Sequence, residues 1–385
     1  MSPAGGPVSV VLAGVHGHGR SHLGNLLRLT ETGLVRLVGV CDHRPVQEET
    51  LAGLGDVAYS DDLGDLLGRT GAEVAILVTP IHTHLPLART ALSHGANLLL
   101  EKPPTSTLTE FHDLRAAVAA SGLACQIGFQ SLGSAAVGAV RDLIADGAIG
   151  AVRGIGGAGT WIRTSAYYER AAWAGRRRLD GRDVVDGALT NPFAHAVATA
   201  LAVAGAGDST PADIELEMFH AHDIESDDTS CVRLHAPDGT PISVAVTLCA
   251  AEHRVPSLTV HGASGRIVLE YTLDRVTLER PGHEPVTTTH PRTDLLENLV
   301  AHLRDGADLL VPPDATQGFM AVLDAVRRAP DPSPIPAPAQ QVSVEDGAVR
   351  RVVPGVEELV RQSAERIAMF SEIGVPWAPT GKVTR

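Results

Sequence analysis

The stretch VSVVLAGVHGHGRSH, Val8–His22, decides the fold. Its first half is an unbroken aliphatic run, which reads as a strand covered on both faces, the mark of a parallel α/β sheet. Its second half, Gly14-Val15-His16-Gly17-His18-Gly19, runs directly into a helical segment. A dinucleotide-binding turn has the form G-x-G-x-x-G. It needs a tight turn, backbone close to a pyrophosphate, and a helix N-terminus facing the negative charge. Gly14 and Gly19 hold the outer positions, and His16 replaces the middle glycine, with Gly17 beside it to supply the close approach through a shifted turn. Gly14, His16, Gly17, His18 and Gly19 are therefore the candidate cofactor loop.

The same pattern continues to Phe129. Aliphatic runs LVRLVGVCD, VAILVTP, ANLLLEKP and LACQIGF alternate with helical segments such as SHLGNLLRLTETG and HLPLARTALSHG, each ending at glycine. This predicts a doubly wound Rossmann sheet, whose ligands sit beyond the C-terminal ends of the strands. Asp42 ends the second strand 23 residues after Gly19, where an acidic residue binds ribose hydroxyls; a helix cap before RPVQEE is the competing reading. An acid there favours NAD, while Arg44 leaves NADP open. Lys102 follows the run ANLLL at another strand end, as a loop charge or as a charge aimed at a ligand. His16, His18 and His22 straddle the turn and the helix start without a nearby carboxylate or cysteine, so no metal site is expected.

At 385 residues the chain is long enough for two cores. A net charge of −14 argues against a general nucleic-acid or anionic-membrane binder. Four cysteines without Cys-x-x-Cys spacing suit a reduced compartment. The N-terminus lacks a basic segment, and no apolar run reaches the roughly 18 residues of a membrane helix. The expected location is cytoplasmic.

With the glycine turn and GRSH (Gly19–His22), VTPIHTHLPLA (Val78–Ala88) and Glu101-Lys102-Pro103 in this order, the chain resembles the glucose-fructose oxidoreductase / inositol dehydrogenase / rhizopine-catabolism (Gfo/Idh/MocA) family of NAD(P)-dependent oxidoreductases. The resemblance covers essentially the whole chain and is strongest over residues 8–130. It implies that Lys102 sits beside the nicotinamide and hydrogen-bonds the reacting oxygen. Thr79, Pro80, His84 and Glu101 then belong to the cofactor edge, with His84 opening the next helix.

After Phe129-Gln130 the pattern changes to strands joined by turns such as PDGT and GASG. Alternation at Ile242, Val244, Val246 and Leu248 predicts an open, mostly antiparallel sheet in an α+β domain, with helices on one side and the other face free. The family's oligomers imply that this free face is a homo-oligomer contact, in a dimer or tetramer. In the family a segment with Asp and His four apart opens a helix and faces the substrate. The matching segment here is DGALTNPFAHAVATAL, with Asn191 at the aspartate and His195 at the histidine. One helical turn would put both on one face. His195 can serve as general base. Asn191 can only orient, or else cap a helix ahead of Pro192.

Aromatics are 3% of the chain, yet Trp161, Tyr167, Tyr168 and Trp173 fall within thirteen residues, interleaved with Arg163, Arg176 and Arg177. Such a set can stack on and hydrogen-bond a sugar or polyol, or form a subunit interface. Together with Gln130, Asn191 and His195 these are the candidate substrate residues, and Asp183 and Asp186 stand nearby. The tail APDPSPIPAPAQ (Ala329–Gln340) reads as a proline-rich connector before one helix, Val356–Ile373. The expected domains are 1–128, NAD(P)-binding; 129–330, substrate-binding; and 331–385, connector and helix packed back on the body. The expected activity is hydride transfer between nicotinamide and a secondary alcohol of a sugar, glycoside or polyol. Its rivals are a redox-neutral sugar-modifying enzyme with bound NAD and a non-catalytic sugar or dinucleotide sensor.

Overall fold

The computed structural model describes residues 6–378; the last part of the expected C-terminal segment, 379–385, lies outside them. The first compact unit holds six parallel strands: β1 (Val8–Ala13), β2 (Val35–Cys41), β3 (Ala58–Ser60), β4 (Val74–Leu77), β5 (Asn97–Leu100) and β6 (Cys125–Ile127). Their order is β3-β2-β1-β4-β5-β6. Helices α1 (Gly19–Glu31), α2 (Leu63–Thr70), α3 (His84–Ser93) and α4 (Leu108–Ser121) connect them. The chain punctuates these helices with local chemistry. Asp62 caps α2 and Thr107 caps α4, and both helices end at left-handed glycines, Gly71 and Gly122. The strand order reverses between β1 and β4, and ligands of such sheets bind outside the strand ends at this switch point.

The second unit begins with α5 (Ala135–Ala145), β7 (Val152–Thr160), α6 (Ser165–Glu169), the small hairpin β8 (Arg178–Leu179) and β9 (Arg182–Asp183), and α7 (Ala194–Val203). Strands β10 (Ile214–His220), β11 (Thr229–His235), β12 (Pro241–Thr247), β13 (Ser257–Gly262), β14 (Arg266–Glu270), β15 (Arg275–Glu279) and β16 (Val286–Thr289) follow. The chain then passes through α8 (Leu295–Asp305), which lies in the first unit, and the second unit resumes with α9 (Gln317–Arg328), β17 (Ser333–Pro334), the hairpin β18 (Gln341–Glu345) and β19 (Ala348–Val352), α10 (Val356–Arg366) and α11 (Phe370–Ile373). The main sheet runs β16-β15-β14-β13-β7-β12-β11-β10-β17. It is antiparallel except for β7 with β12 and β10 with β17.

Three expectations change here. The sheet face expected to be free is covered at its centre. Ile242, Val244 and Val246 are buried, but so are Ser243, Ala245 and Thr247, because α10 packs on β7 and β12. Val356, Leu359, Val360 and Phe370 join Phe219, Cys231 and Ala245 in one core on that side. The approach is so close that a Cβ on Gly156 would lie 1.8 Å from the Ala364 carbonyl oxygen. Secondly, the tail is more structured than a connector and one helix. Its proline-rich part supplies edge strand β17, and the helix breaks at Ile367, whose φ is 53°. Thirdly, Thr293–Asp314, with α8, belongs to the first unit, so that unit comprises residues up to Phe129 together with this returning segment. The second unit is Gln130–Arg292 with the residues from Ala315 on. The reason lies at β6. Gln126 is fully buried and needs partners, and the segment supplies them: Gln126 Nε2 donates to Asn298 Oδ1 (2.5 Å) and Val311 N–H donates to Gln126 Oε1 (2.9 Å).

Candidate active site

In the first unit, the turn after β1 leaves no room for a side chain at its two outer glycines. Gly14 has φ 87°, and a Cβ there would lie 2.3 Å from the Val78 carbonyl oxygen. A Cβ on Gly19 would lie 2.0 Å from the Gly14 carbonyl oxygen. Gly17 also takes a left-handed φ, 63°, in open space. His16 is half-buried, and its buried Nε2 has no hydrogen-bond partner among the described residues. His18 is exposed at the N-terminus of α1, which carries no side-chain cap. Asp42 is buried at the end of β2, and its carboxylate accepts the N–H of Val15 (2.9 Å) and of Arg44 (3.0 Å). Burial pushes its carboxyl up, but these N–H groups, with His16 and His43 nearby, outweigh it and hold the carboxyl below its usual range. A glycine cradle that side chains would fill, a helix N-terminus and a charged acid at the next strand end fit an adenine dinucleotide.

Lys102 is half-buried just past β5. Thr79 is half-buried and Pro80 exposed just past β4; the Thr83 hydroxyl donates to Thr79 Oγ1 (2.7 Å). Two residues expected on the cofactor edge hold these loops. His84 is buried, with Nε2 2.8 Å from the Thr79 carbonyl oxygen and Nδ1 2.9 Å from that of Pro103, so it ties the two loops together. Burial lowers its pKa, against the pull of those carbonyls. Glu101 is buried and binds the first turn of α1: its Oε1 lies 2.9 Å from His22 Nε2 and 3.5 Å from His18 Nε2. Its Oε2 accepts the Lys102 N–H (3.1 Å). Burial alone would raise the Glu101 carboxyl, yet the two histidines hold it well below its usual range. The carboxylate missing from the His16-His18-His22 neighbourhood in the sequence thus arrives from β5.

In the second unit, His195 lies half-buried in the first turn of α7. Its Nδ1 is 3.1 Å from Ser131 Oγ, which in turn accepts from the Thr199 hydroxyl (3.0 Å) one turn along the helix. Gln130 opens the short 3-10 turn that carries Ser131. Asn191 neither caps α7 nor shares its face, because the helix starts only at Ala194 and its N-cap is Phe193. The Asn191 Nδ2 donates instead to Asp186 Oδ1 (2.6 Å). The Asp186 carboxylate is buried and also accepts from the Gly175 N–H (2.8 Å) and Arg170 Nη2 (3.2 Å). A carboxylate can only accept, so the amide nitrogen must face Asp186 and Oδ1 must turn away from it.

The aromatic cluster forms a ladder. Trp161 packs on Phe193 (ring centroids 4.4 Å) and stacks on His253 (5.6 Å). Arg163 lies over Trp161 (5.3 Å) and Tyr167 (4.9 Å), and Arg170 over Tyr167 (3.6 Å) and Trp173 (4.7 Å). Tyr168 turns from the ladder toward His222, with ring centroids 5.0 Å apart. Arg177 is no ligand residue: its Nη2 donates to the carbonyls of Val326, Arg327 and Ala329 and closes the end of α9. Arg176 pairs with Glu225 and Asp183 with Arg178. Sequence reasoning missed Ser131, Thr199 and His253 and left Asp186 unplaced. Thr199, four residues after His195, was the one local signal.

Such a turn and acid on a doubly wound sheet, in a chain that also carries a mixed-sheet α+β unit, define a dinucleotide-binding protein of the Rossmann class. Residues 8–129 match the oxidoreductase family with an NAD-binding Rossmann fold, and residues 137–268 match the GFO/IDH/MocA C-terminal domain. The chain belongs to this family, and NAD is its cofactor. It is 29% identical over 252 residues, 65% of this chain and 67% of the other, to the dTDP-3,4-didehydro-2,6-dideoxy-alpha-D-glucose 3-reductase of Streptomyces antibioticus. It is 32% identical over 93 residues, 23% of this chain and 27% of the other, to the NAD+-dependent scyllo-inositol 2-dehydrogenase of Bacillus subtilis (strain 168). Its fold resembles the WlbA dehydrogenase of Bordetella pertussis, solved with NADH and UDP-GlcNAcA, with a TM-score of 0.69 and 21% identity over 84% of this chain and 96% of that one. Among the described residues no helix is long and apolar enough to cross a membrane.

Proposed function

We propose that this enzyme transfers a hydride between NAD and a secondary alcohol or ketone of a sugar, glycoside or polyol. Bound nicotinamide supplies the hydride acceptor or donor. Lys102 donates a hydrogen bond to the reacting oxygen and stabilises the charge that develops there. His195 takes the hydroxyl proton in oxidation and returns it in reduction, its ring oriented by Ser131 and Thr199. Asn191, its amide set by Asp186, offers Oδ1 as an acceptor for a substrate hydroxyl. The Trp161–Trp173 ladder offers flat apolar faces and guanidinium donors of the kind that hold a sugar ring. Asp42 favours NAD because its charge would repel a 2′-phosphate.

The observation that carries this reading is Lys102 directly after Glu101 at the end of β5, in a domain matching NAD-binding oxidoreductases. The two curated relatives reduce a dTDP-sugar and oxidise an inositol, and they support a carbohydrate substrate. A homo-oligomer through the second sheet would use the β13–β15 side, since α10 covers the centre. The test is a panel of sugars, glycosides and polyols with NAD+, read both as NADH absorbance and by product analysis. Product without NADH would replace this reading with redox-neutral sugar modification. Binding without product would replace it with a sensor.

A further inference from the structure

We propose that His18, His22 and Glu101 form a binding site for a divalent d-block cation of the zinc type. The three ligand atoms, two imidazole Nε2 and the Glu101 Oε1, all lie within 4.8 Å of one another. His22 Nε2 is 2.9 Å and His18 Nε2 3.5 Å from that oxygen. Zinc bonds of about 2.0–2.1 Å at tetrahedral angles separate ligand atoms by about 3.4 Å, so these spacings need only small adjustments. The two histidines are four residues apart at the start of α1, which puts both on one side of its first turn. Glu101 reaches them from the end of β5, and its other oxygen is already held by the Lys102 N–H, which fixes the carboxylate as ligating carboxylates usually are.

Accessibility and donor type support the same assignment. The Glu101 and His22 side chains are 6% and 9% exposed and form a buried floor, while His18 at 58% leaves an entrance. Two imidazoles and one carboxylate suit zinc, nickel or cobalt better than magnesium or calcium, which prefer all-oxygen shells. Three protein ligands leave a fourth position for water. A second convergent set among the described residues, His222, Asp228 and Cys249, lacks such an entrance. It is wholly buried, and the Asp228 carboxylate already accepts the N–H groups of Ala221 and His222 and the Thr229 hydroxyl.

The experiment is a calorimetric titration of the full chain with zinc chloride, paired with anomalous diffraction at the zinc edge from crystals soaked in the same salt. Wild type should bind one equivalent, and His18→Gln should weaken binding by more than about tenfold, since loss of a ligand exceeds the usual cost of disturbing its supports. His18 is exposed, so this variant should keep the fold; circular dichroism checks that it does. The anomalous peak should lie within bonding distance of His18 Nε2, His22 Nε2 and Glu101 Oε1. No binding at about 100 µM zinc, unchanged affinity in His18→Gln, or a peak at Cys249 instead would overturn the proposal.

Discussion

Asn191→Asp is the substitution that most directly tests how the second unit is built. It restores the residue type of the family pattern at that position, and by shape alone it should be harmless. The structure says otherwise, because the Asn191 amide donates to the buried Asp186 carboxylate at 2.6 Å. The change removes a donor and sets two carboxylates in contact. Two full charges about 3 Å apart repel by about 5 kcal/mol at an effective dielectric near 20. Taking up a proton at pH 7 instead costs about 4 kcal/mol, three pH units above an ordinary carboxyl pKa, so the pair should hold one shared proton. The folded variant then carries a proton that its unfolded chain lacks between about pH 4 and 8, and its stability falls as pH rises through that window by about 1.4 kcal/mol per unit. Urea unfolding of wild type and variant at pH 5 and pH 7.5 reads this directly. The expected result is a loss of about 4 kcal/mol near neutrality that shrinks to about 1–2 kcal/mol at pH 5. A variant within about 0.5 kcal/mol of wild type at both pH values would refute the Asn191–Asp186 pairing and the amide orientation derived from it.

Other substitutions separate the remaining roles. Lys102→Met should leave the fold intact and lower turnover about a hundred- to a thousand-fold, the cost of one preorganised donor to an oxyanion; turnover within about threefold of wild type would make Lys102 a loop charge. Asp42→Ala should weaken NAD+ more than NADP+ in binding titrations, and equal losses would remove Asp42 from the ribose site. The Asp42 carboxyl is held low in the folded state, so its stabilisation is present above the usual carboxyl range and fades as acid protonates it. The acid-side loss of stability should therefore be smaller in Asp42→Asn. His195→Ala should abolish the histidine inflection of the pH–rate profile with most of the activity, whereas Ser131→Ala should keep an inflection at a moved position; identical profiles for Ser131→Ala and wild type would free His195 from that hydroxyl. Gly156→Val should destabilise the second unit and expose the α10 segment to proteolysis, because its side chain would meet the backbone at Ala364.

The first unit was legible in the chain because its evidence is local. Continuous aliphatic runs report strands covered on both faces, and Gly14, Gly19, Asp42 and Lys102 each stand at a strand end or turn defined by their own neighbours. Buried polar groups are another matter, since each must find a partner wherever the fold brings one. Glu101 meets His22 across 79 residues, and Gln126 meets Asn298 across 172. His84 faces two loops at once, and Asn191 turns to Asp186 because α7 begins later than the four-residue spacing suggested. Alternation along β12 correctly marked one buried face, but it could not reveal that α10, more than a hundred residues on, buries the other. Periodicity and turn chemistry act between adjacent residues, so the sequence alone carries them; cover and hydrogen-bond partners come from distant segments, and only the tertiary structure decides those.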